Sequence, residues 1–421
     1  MKRVLLFGAW FLTISASLSA QTYAIFVNGG QFGNPNSNVN VQLYDPVLDS
    51  TLVIDTIQTQ SAQDVLIQGD VAYVAAQDSI VRYDLSSRSR THTAAFNGPS
   101  TYTLALDQNQ LLVGNWFGAT TDNLYIYDAS NLNLIDSVTA VSEDAKSILI
   151  KNGFAFITQN LSTSGFQDTS GYVIRLDLNT LNITDTLSIA NYSGDIGELI
   201  ERPDGNGFYS LNSVSNTIGY FSFTSPFVSS NGAAGVDLKV GNSSQWARNR
   251  DTLYARMENG IGAIDLNSLS VIDTNFIDTV ITAFAYDSLM NQFYVSQTDF
   301  FSFNLGKTYD RNGSILSRFA VGFSPEAADV YYAIPVNVSN HQLSTKTALE
   351  LYPNPTSEIC YIPNAKANDL IRVLDLSGKL VWENRIANQG QALDVSRLNR
   401  GSYIVMLLSE EGISTSKMII D

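Results

Sequence analysis

Short runs in which hydrophobic and polar positions alternate fill most of the chain, and turn-forming residues separate them. Residues 110–141 show the unit most clearly. An apolar run at Leu112–Asn115 is followed by an alternating run at Leu124–Tyr127, by the turn sequence Asp128-Ala-Ser-Asn131 and by a further run from Leu134 to Val138. Alternation with a period of two is typical of half-buried β-strands, and no helical period competes with it. The pattern predicts an all-β fold.

Copies of this unit recur along the chain and can be aligned on the polar residue that ends the middle strand. The aligned residues are Asp45, Asp84, Asp128, Asp177, Ser222, Asp265 and Asn304, with spacings of 39, 44, 49, 45, 43 and 39 residues. Four short strands per unit at this period are typical of a β-propeller, so seven copies predict seven blades. A carboxylate here can accept a backbone N–H two residues on, which favours a turn role over a catalytic one.

The first and last strands are predicted to meet. The first blade begins at Tyr23–Asn28 and lacks an innermost strand, and the run Ala327–Val336 can supply it. Pairing of these two runs would close the ring and remove exposed sheet edges. The pattern also assigns residues 235–240 (GVDLKV) to the outer strand of the fifth blade and residues 300–305 (FFSFNL) to the third strand of the seventh.

Composition excludes several function classes. The chain carries 24 Lys and Arg against 40 Asp and Glu, a net charge of −16, which disfavours nucleic acid and anionic lipid as partners. With Cys360 alone, no internal disulfide can form. His92, in a predicted outer strand, and His341, in a predicted linker, leave few ligands for zinc and no evident Ser-His-Asp triad. We therefore expect no metal and no cofactor.

The chain divides into four segments. Residues 1–20 read as a secretory signal peptide, with Lys2 and Arg3 before an apolar core and Leu18-Ser-Ala20 at the cleavage site. The propeller is predicted over 21–336, a polar linker over 337–348, and a small immunoglobulin-like β-sandwich over 349–421. No cysteine follows the signal, so we expect no lipid anchor, and we predict no transmembrane segment in the mature chain.

The C-terminal segment carries Tyr352-Pro-Asn-Pro355, Asp375-Leu-Ser-Gly378, Leu398-Asn-Arg-Gly401-Ser-Tyr403 and a terminal Lys417-Met-Ile-Ile420. In these motifs it resembles the type A sorting domain of the type IX secretion system of Bacteroidota. The resemblance implies that the type IX machinery is a partner. It further implies export across the outer membrane, removal of the domain, and release or surface attachment. The motif residues are Pro353, Asn354, Pro355, Gly378, Gly401, Tyr403 and Lys417.

Residues 23–336 look like the YVTN/YncE-type (DUF5074-like) surface propellers of the same phylum. The resemblance rests on residues 26–33 (FVNGGQFG) leading to 43–46 (LYDP), on Val113-Gly-Asn-Trp116 and on the repeated strand-Asp turns. Some members of that group bind cobalamin and pass it to a transporter, so cobalamin scavenging is one alternative function.

One face is predicted to carry the longer loops, which join second to third strands at 29–38, 117–122 and 161–170. Aromatic and amide side chains gather there and suit a sugar, a peptide or a planar ligand. The candidate ligand-binding residues are Phe32, Asn115, Trp116, Phe117, Asn160, Phe166, Tyr192 and Trp246. The other reading is that these rings only pack the loops.

Two further patterns keep other functions open. Oxygen-rich turns at 204–207 and 310–313 could suggest calcium, although neither has the spacing of a helix-loop-helix site, so we interpret them as turns. Asp64, Asp144 and Glu198 lie near first-strand starts, and a metal-dependent, lactonase-like or other hydrolase is the remaining alternative. We expect a secreted or surface-displayed, non-catalytic module that binds an extracellular small molecule, glycan or protein.

Overall fold

The computed structural model describes residues 21–31, 33–115, 123–162, 168–189, 192, 194–301, 303–333, 349–363, 365–367, 369–375, 380–386, 392–409 and 412–421. They are organised as β-strands and one short 3-10 helix, Ser243–Gln245. Two compact units divide them, one spanning Thr22–Ala333 and the other containing the residues from 349 onward. None of the described residues forms a helix long and apolar enough to cross a membrane.

The described part of the larger unit forms seven four-stranded antiparallel sheets, numbered I to VII, an arrangement consistent with a β-propeller. Sheet I contains β28 (Pro325–Ala333), β1 (Gln21–Asn28), β2 (Val39–Asp45) and β3 (Ser50–Ile57), in that order. Sheet II contains β4 (Asp64–Gln68), β5 (Val71–Ala76), β6 (Ser79–Asp84) and β7 (Ser89–Ala95). Sheet III contains β8 (Thr101–Asp107), β9 (Gln110–Asn115), β10 (Leu124–Asp128) and β11 (Leu134–Ser137).

The remaining four sheets of this unit follow the same consecutive order. Sheet IV contains β12 (Ile148–Lys151), β13 (Phe154–Ser162), β14 (Asp168–Asp177) and β15 (Asn182–Leu187). Sheet V contains β16 (Glu198–Glu201), β17 (Gly207–Asn212), β18 (Thr217–Ser222) and β19 (Ser229–Ala233). Sheet VI contains β20 (Trp246–Asn249), β21 (Thr252–Met257), β22 (Gly260–Asp265) and β23 (Ser270–Asp278). Sheet VII contains β24 (Ala283–Asp287), β25 (Gln292–Thr298), β26 (Asn304–Asp310) and β27 (Ile315–Phe319).

Sheet I joins the two ends of the larger unit. Its first strand in space is β28, which is hydrogen-bonded to β1, so the predicted pairing of the last strand with Tyr23–Asn28 is confirmed. The strand runs over Pro325–Ala333, and the predicted residues 334–336 lie outside the described residues. Tyr331 stacks on Tyr23 with ring centroids 6.0 Å apart, and its hydroxyl donates to Asp70 at 2.6 Å. Buried contacts as well as the ladder therefore hold the pairing.

The predicted turn role of the recurrent aspartates is confirmed. The Oδ1 atom of Asp45 accepts the backbone N–H groups of Val47 and Leu48, and Ser222 accepts the N–H of Val228 through its hydroxyl. The same kind of bond is made by Asp84, Asp128, Asp177 and Asp265. Each bond fixes the chain as it turns from the third to the fourth strand of a sheet.

The prediction for the seventh repeat, which put its turn residue at Asn304, is wrong. Asn304 begins the third strand of sheet VII rather than ending it, and Asp310 is the turn residue. Its carboxylate accepts the N–H groups of Asn312 and Ser314 at 2.9 and 2.8 Å. Phe300, Phe301 and Phe303 precede the strand and lie in a loop. The run Phe-Phe-Ser-Phe alternates in the sequence as a strand does, which explains the wrong prediction. The turn reading of 310–313 is confirmed, as is that of 204–207, where Asp204 accepts the N–H of Asn206.

Replacement of Asp310 by Ala should lower the melting temperature at pH 7. The backbone N–H groups of Ser314 and Asn312 lower the pKa of Asp310, so its contribution is present above the unfolded pKa near 3.8 and fades as pH falls further. Thermal melts from pH 7 to pH 3 should show the gap to wild type closing. Asp136→Ala, at an exposed position of β11, is the control, and a gap of constant size would contradict the assignment.

The outer strand of sheet V also differs from the prediction. It is β19, Ser229–Ala233, whereas residues 235–240 belong to the connection to sheet VI, with one isolated bridge from Leu238 to Met257. Leu238 and Val240 are buried in the core between sheets V and VI, and the half-buried Val236 packs against it. Alternate residues of this connection are apolar because they are buried, and the resulting sequence pattern is the same as that of a strand.

Neighbouring sheets are joined by tyrosine hydroxyl groups that reach across apolar cores. Tyr73 of sheet II donates to the carbonyl of Ala129 at 2.8 Å, and Tyr209 of sheet V donates to that of Leu266 at 2.9 Å. Each ring is buried while its polar tip is satisfied by the turn of the next sheet. Such bonds fix the sheets relative to one another as well as filling the space between them.

The described residues of the C-terminal unit form two antiparallel sheets. The smaller pairs β29 (Ile359–Tyr361) with β32 (Ala392–Asp394), and the larger has the order β31 (Leu380–Arg385), β30 (Leu370–Leu374), β33 (Gly401–Ser409), β34 (Gly412–Ile420). Cys360 and Leu393 of the smaller sheet share one core with Val373, Val405 and Met418 of the larger. The prediction of Cys360 as a small core residue is confirmed, and burial raises the pKa of its thiol.

Asn354 of the sorting motif is held against the last strand. Its Nδ2 donates to the carbonyl of Lys417 at 2.7 Å, and its Oδ1 accepts the N–H of Ile419 at 2.8 Å. Pro353 and Pro355 on either side each follow a cis peptide bond. The amide therefore satisfies part of the edge of β34 as a paired strand would.

The other motif residues that the structure describes, Gly401, Tyr403 and Lys417, lie in β33 and β34. Gly401 is the first residue of β33, and the Tyr403 hydroxyl donates to the carbonyl of Asn399 at 2.6 Å. Gly378 lies outside the described residues. The described motif residues around Asn354, Tyr403 and Lys417, which are distant in sequence, thus meet on the two C-terminal strands.

Candidate functional site

The first strands of the seven sheets lie side by side. Strand β28 contacts β4 and β24, β8 contacts β4 and β12, and β12 contacts β16. Strand β20 reaches β16 through Trp246 and Arg248, which donate to Glu198 and to the carbonyl of Glu201. Side chains at the starts of these strands are therefore brought close together from sheets that are far apart in sequence.

Three of the carboxyl groups on these first strands interact through the charge of Asp64. Asp64 and Glu198 begin β4 and β16, and Asp329 lies in β28. Burial raises the pKa of Asp64 to about 6, that of Glu198 to about 8 and that of Asp329 to about 7, and the charge of Asp64 adds to the shift of the other two. The sequence analysis singled out Asp64, Asp144 and Glu198. In the structure the third carboxyl group that interacts with this pair is Asp329. Asp144 instead sits in a bridge opposite Asn160.

Asp64 and Glu198 accept hydrogen bonds from donors within the protein. Asp64 accepts the N–H groups of Val65 and Leu104, both at 2.8 Å, and the hydroxyl of Ser243 at 2.5 Å. Glu198 Oε2 accepts from the Ser147 hydroxyl and from Trp246 Nε1, both at 3.3 Å. Among the described residues no group of three His, Cys, Asp or Glu is arranged to hold a metal ion.

The segment 241–246 lies at the centre of this arrangement. Ser244 Oγ accepts the N–H of Ala328 at 2.9 Å, and Gln245 Nε2 donates to the carbonyl of Thr282 at 2.9 Å. The carbonyl of Gly241 accepts from the hydroxyl of Tyr102. Together with the bonds to Asp64 and Glu198, the segment contacts sheets I, II, III, V and VII within the described part of the chain.

The two candidate amides of the loop face are turned inward. Asn115 donates to Asn123 Oδ1 at 3.0 Å and accepts the N–H of Ser100 at 3.2 Å. Asn160 brackets Ile196, donating to its carbonyl at 2.8 Å and accepting its N–H at 2.9 Å. Both side chains are fully buried, so in this arrangement they tie loops to strands.

The candidate rings have different positions. Tyr192 is half-buried, and its hydroxyl donates to the carbonyl of Asp195 at 2.7 Å. Trp246 is also half-buried, but it lies among the first strands rather than on a loop. Tyr192 and Asn160 bond to the adjacent residues Asp195 and Ile196, whereas Trp246 bonds to Glu198 among the first strands. Phe32, Trp116, Phe117 and Phe166 lie outside the described residues.

The sequence analysis assigned residues 300–305 to a strand, and therefore it did not predict the group of exposed apolar residues in this region. Phe300, Phe301 and Phe303, in the loop between β25 and β26, are 39%, 56% and 47% exposed. Val280, in the connection before β24, is 66% exposed, and its carbonyl is bonded to Gln297 Nε2 at the end of β25. We name these four residues the phenylalanine patch. They lie on the face that carries the second-to-third-strand loops.

The loop that carries the patch is held in a fixed conformation. Asp299 Oδ1 accepts the N–H groups of Phe301 and Phe303 at 3.0 and 2.7 Å, and the Asp299 N–H donates to the carbonyl of Phe303. Phe300 has a φ of 67°, a left-handed conformation that costs a residue with a β-carbon about 1 kcal/mol. Gln31 Nε2 donates to the carbonyl of Phe301 at 2.7 Å and joins the loops of sheets I and VII.

Comparison with known families identifies the family of the C-terminal segment. Residues 350–421 match the profile of the secretion system C-terminal sorting domain. This segment is a type IX secretion sorting domain. The sorting domain indicates export to the cell surface or secretion, and it implies handling by the type IX machinery. No curated protein sequence matches the chain.

Solved structures similar to the chain are β-propeller-like proteins. A functionally unknown protein from Desulfotomaculum acetoxidans aligns with a TM-score of 0.54 at 14% identity, over 74% of this chain and 99% of that one. A quinoprotein alcohol dehydrogenase-like protein from Bacteroides thetaiotaomicron aligns with a TM-score of 0.52 at 14% identity, over 74% and 78%. At this identity the similarity concerns the fold alone.

Proposed function

We propose that the chain is an exported, non-catalytic interaction module, a seven-bladed YVTN/YncE-type propeller that binds a protein partner through the phenylalanine patch. The sorting domain supports export, and the side-by-side first strands support closure of the seven sheets into a ring. In this proposal the C-terminal unit is an immunoglobulin-like sandwich. The candidate contacts Phe32, Trp116, Phe117 and Phe166 remain sequence-based candidates for the same interaction.

The observation that carries the proposal is the rigid display of three phenylalanine rings. Burying one such ring is worth about 1.5–3 kcal/mol, and the folded chain leaves much of that unused on all three. The Asp299 carboxylate and the strained Phe300 hold the rings outward instead of allowing collapse. A fixed apolar surface of this kind is typical of a site that becomes buried against another molecule.

The chemistry of the patch favours a protein over a sugar. Phenylalanine and valine side chains have no hydrogen-bonding group, whereas sugar recognition combines stacking with polar contacts. The amides of Gln31 and Gln297 beside the patch donate to its own backbone carbonyl groups, those of Phe301 and Val280. Asp278 is exposed two residues before Val280, and the chain has a net charge of −16. We therefore expect a partner with an apolar pocket and a basic rim.

Photo-crosslinking in the native bacterium tests the proposal. Phe301 is replaced by p-benzoylphenylalanine in the full chain, and illuminated cells should yield a discrete adduct with one protein, identified by mass spectrometry. The same substitution at Ile272, which is 58% exposed on β23, is the matched control and should give none. The adduct should disappear in a Phe300→Ala, Phe303→Ala background. No adduct at 301, or equal adducts at both positions, would refute a protein site at the patch.

A further inference from the structure

Strand β34 forms one edge of the larger sheet of the C-terminal unit, because it pairs with β33 on one side only. Its other side is covered in part. Asn354 bonds the carbonyl of Lys417 and the N–H of Ile419, and the N–H of Thr356 donates to the carbonyl of Ile419 at 2.9 Å. These bonds show that the backbone groups of Lys417 and Ile419 point away from β33.

The cover does not extend to Thr415. The direction of the backbone groups alternates along a strand, so Thr415 presents its N–H and its carbonyl on the same side as Lys417. Within the part of the chain that the structure describes, no hydrogen bond is made to these two groups or by the N–H of Lys417. A row of unpaired N–H and C=O groups on a strand edge is a template for pairing with another strand.

The other described edges of this unit are less suited to such pairing. Strand β31 carries the charged residues Glu383 and Arg385, and its register with β30 is irregular next to Leu374. Strands β29 and β32 have only three residues each. Charge, irregular register and short length all oppose the addition of a strand. By contrast, β34 is nine residues long, and Lys417 is its one charged residue.

We propose that an extended strand of the type IX secretion machinery adds to the open part of the β34 edge, beside Thr415 and Lys417. The family of this segment implies that the machinery handles it, so a partner that contacts this unit exists. Main-chain hydrogen bonds supply the affinity in this mode of recognition. The Asn354 amide already makes strand-like bonds on the same edge, and it marks where the added strand ends. The interface is independent of the phenylalanine patch and of what the patch binds.

Crosslinking from the edge itself identifies what occupies it. With p-benzoylphenylalanine in place of the exposed Thr415 in the full chain, illuminated cells of the native bacterium should yield an adduct with a component of the type IX machinery. The same replacement of Asn384, exposed on the opposite edge strand β31, is the control and should yield at least tenfold less. An adduct only with a second copy of this chain, no adduct at 415, or equal yields at the two positions would overturn the proposal.

A proline on the edge tests the backbone groups directly. Thr415→Pro removes an N–H that points away from β33, so the ladder between β33 and β34 keeps its bonds. Export of the full chain should fall at least tenfold, whereas Thr415→Val, which keeps the N–H, should be exported as wild type is.

Trp382, which packs against the core of the C-terminal unit, reports whether that unit is folded. In the full mature chain carrying Trp116→Phe and Trp246→Phe it is the remaining tryptophan of residues 21–421, and its emission spectrum should be the same with and without Thr415→Pro. Wild-type export of Thr415→Pro, or an equal loss of export in Thr415→Val, would overturn the proposal. If the proline shifts the spectrum, the adduct at 415 decides alone.

Discussion

A chain ending at Ser324 should fail to unfold cooperatively, whereas a chain ending at Ala333 should keep a sharp transition. The difference is β28, which supplies the first strand of sheet I from the far end of the larger unit. Without it, β1 presents an unpaired edge, and the buried residues Ala327, Ala328, Val330 and Tyr331 are lost from two apolar cores. These losses together reach the 5–15 kcal/mol that stabilises an ordinary domain.

The contacts of β28 extend beyond its own sheet. Tyr331 bonds Asp70 of the turn between β4 and β5, Tyr332 accepts the N–H of Ser288 at 3.0 Å, and Ala328 bonds Ser244 of the segment 241–246. Sheets II, VI and VII therefore lose partners as well. The expected effect is on the whole unit, not on one strand.

Urea unfolding followed by circular dichroism distinguishes the two chains, each beginning at Gln21. The chain ending at Ala333 also lacks the C-terminal unit, so it controls for truncation as such. Adding a synthetic peptide of residues 325–333 to the shorter chain should restore part of the transition by pairing with β1. Equal urea midpoints for the two chains would contradict a closing role for β28.

Sequence reasoning was strongest where structure depends on neighbours in the chain. The period of the repeat and the turns at Asp45 to Asp265 follow from local alternation and from side chains that bond two or three residues away. The missing first strand could also be inferred, because an incomplete unit at one end was matched by a surplus strand at the other.

The errors have a common physical origin. Residues 235–240 and 300–303 alternate as strands do, yet one run fills a core from a connection and the other exposes its rings on a loop. Alternation reports which side chains are apolar and does not reveal whether a ladder partner exists. The bond between Ser243 and Asp64 joins residues 179 positions apart, so no local pattern could have revealed the carboxyl groups as a set.

Replacing Glu198 by Gln should reduce the loss of stability that the larger unit shows between pH 5 and 8.5. Burial also raises the pKa values of Asp64, Asp329 and Glu326, so part of the loss remains in the variant. In the folded chain burial raises the pKa of Glu198 from 4.5 to about 8, so the side chain stays protonated while the unfolded chain ionises. The unfolded state therefore gains relative to the folded state as pH rises through this window. At about 1.4 kcal/mol per pH unit, Glu198 alone contributes up to about 5 kcal/mol to the loss in wild type, and Gln removes that contribution.

The substitution preserves the shape of the side chain and its ability to accept from Trp246 and Ser147, so at pH 5 the two proteins should differ by about 1 kcal/mol or less. At pH 8.5 the variant should be the more stable one by several kcal/mol. Urea titrations at pH 5, 7 and 8.5 measure this, with Asp273→Asn at an exposed position of β23 as the control for removing a negative charge. If the two stability profiles ran parallel, Glu198 would have to be ionised in the folded chain, and burial would not be the dominant influence on it.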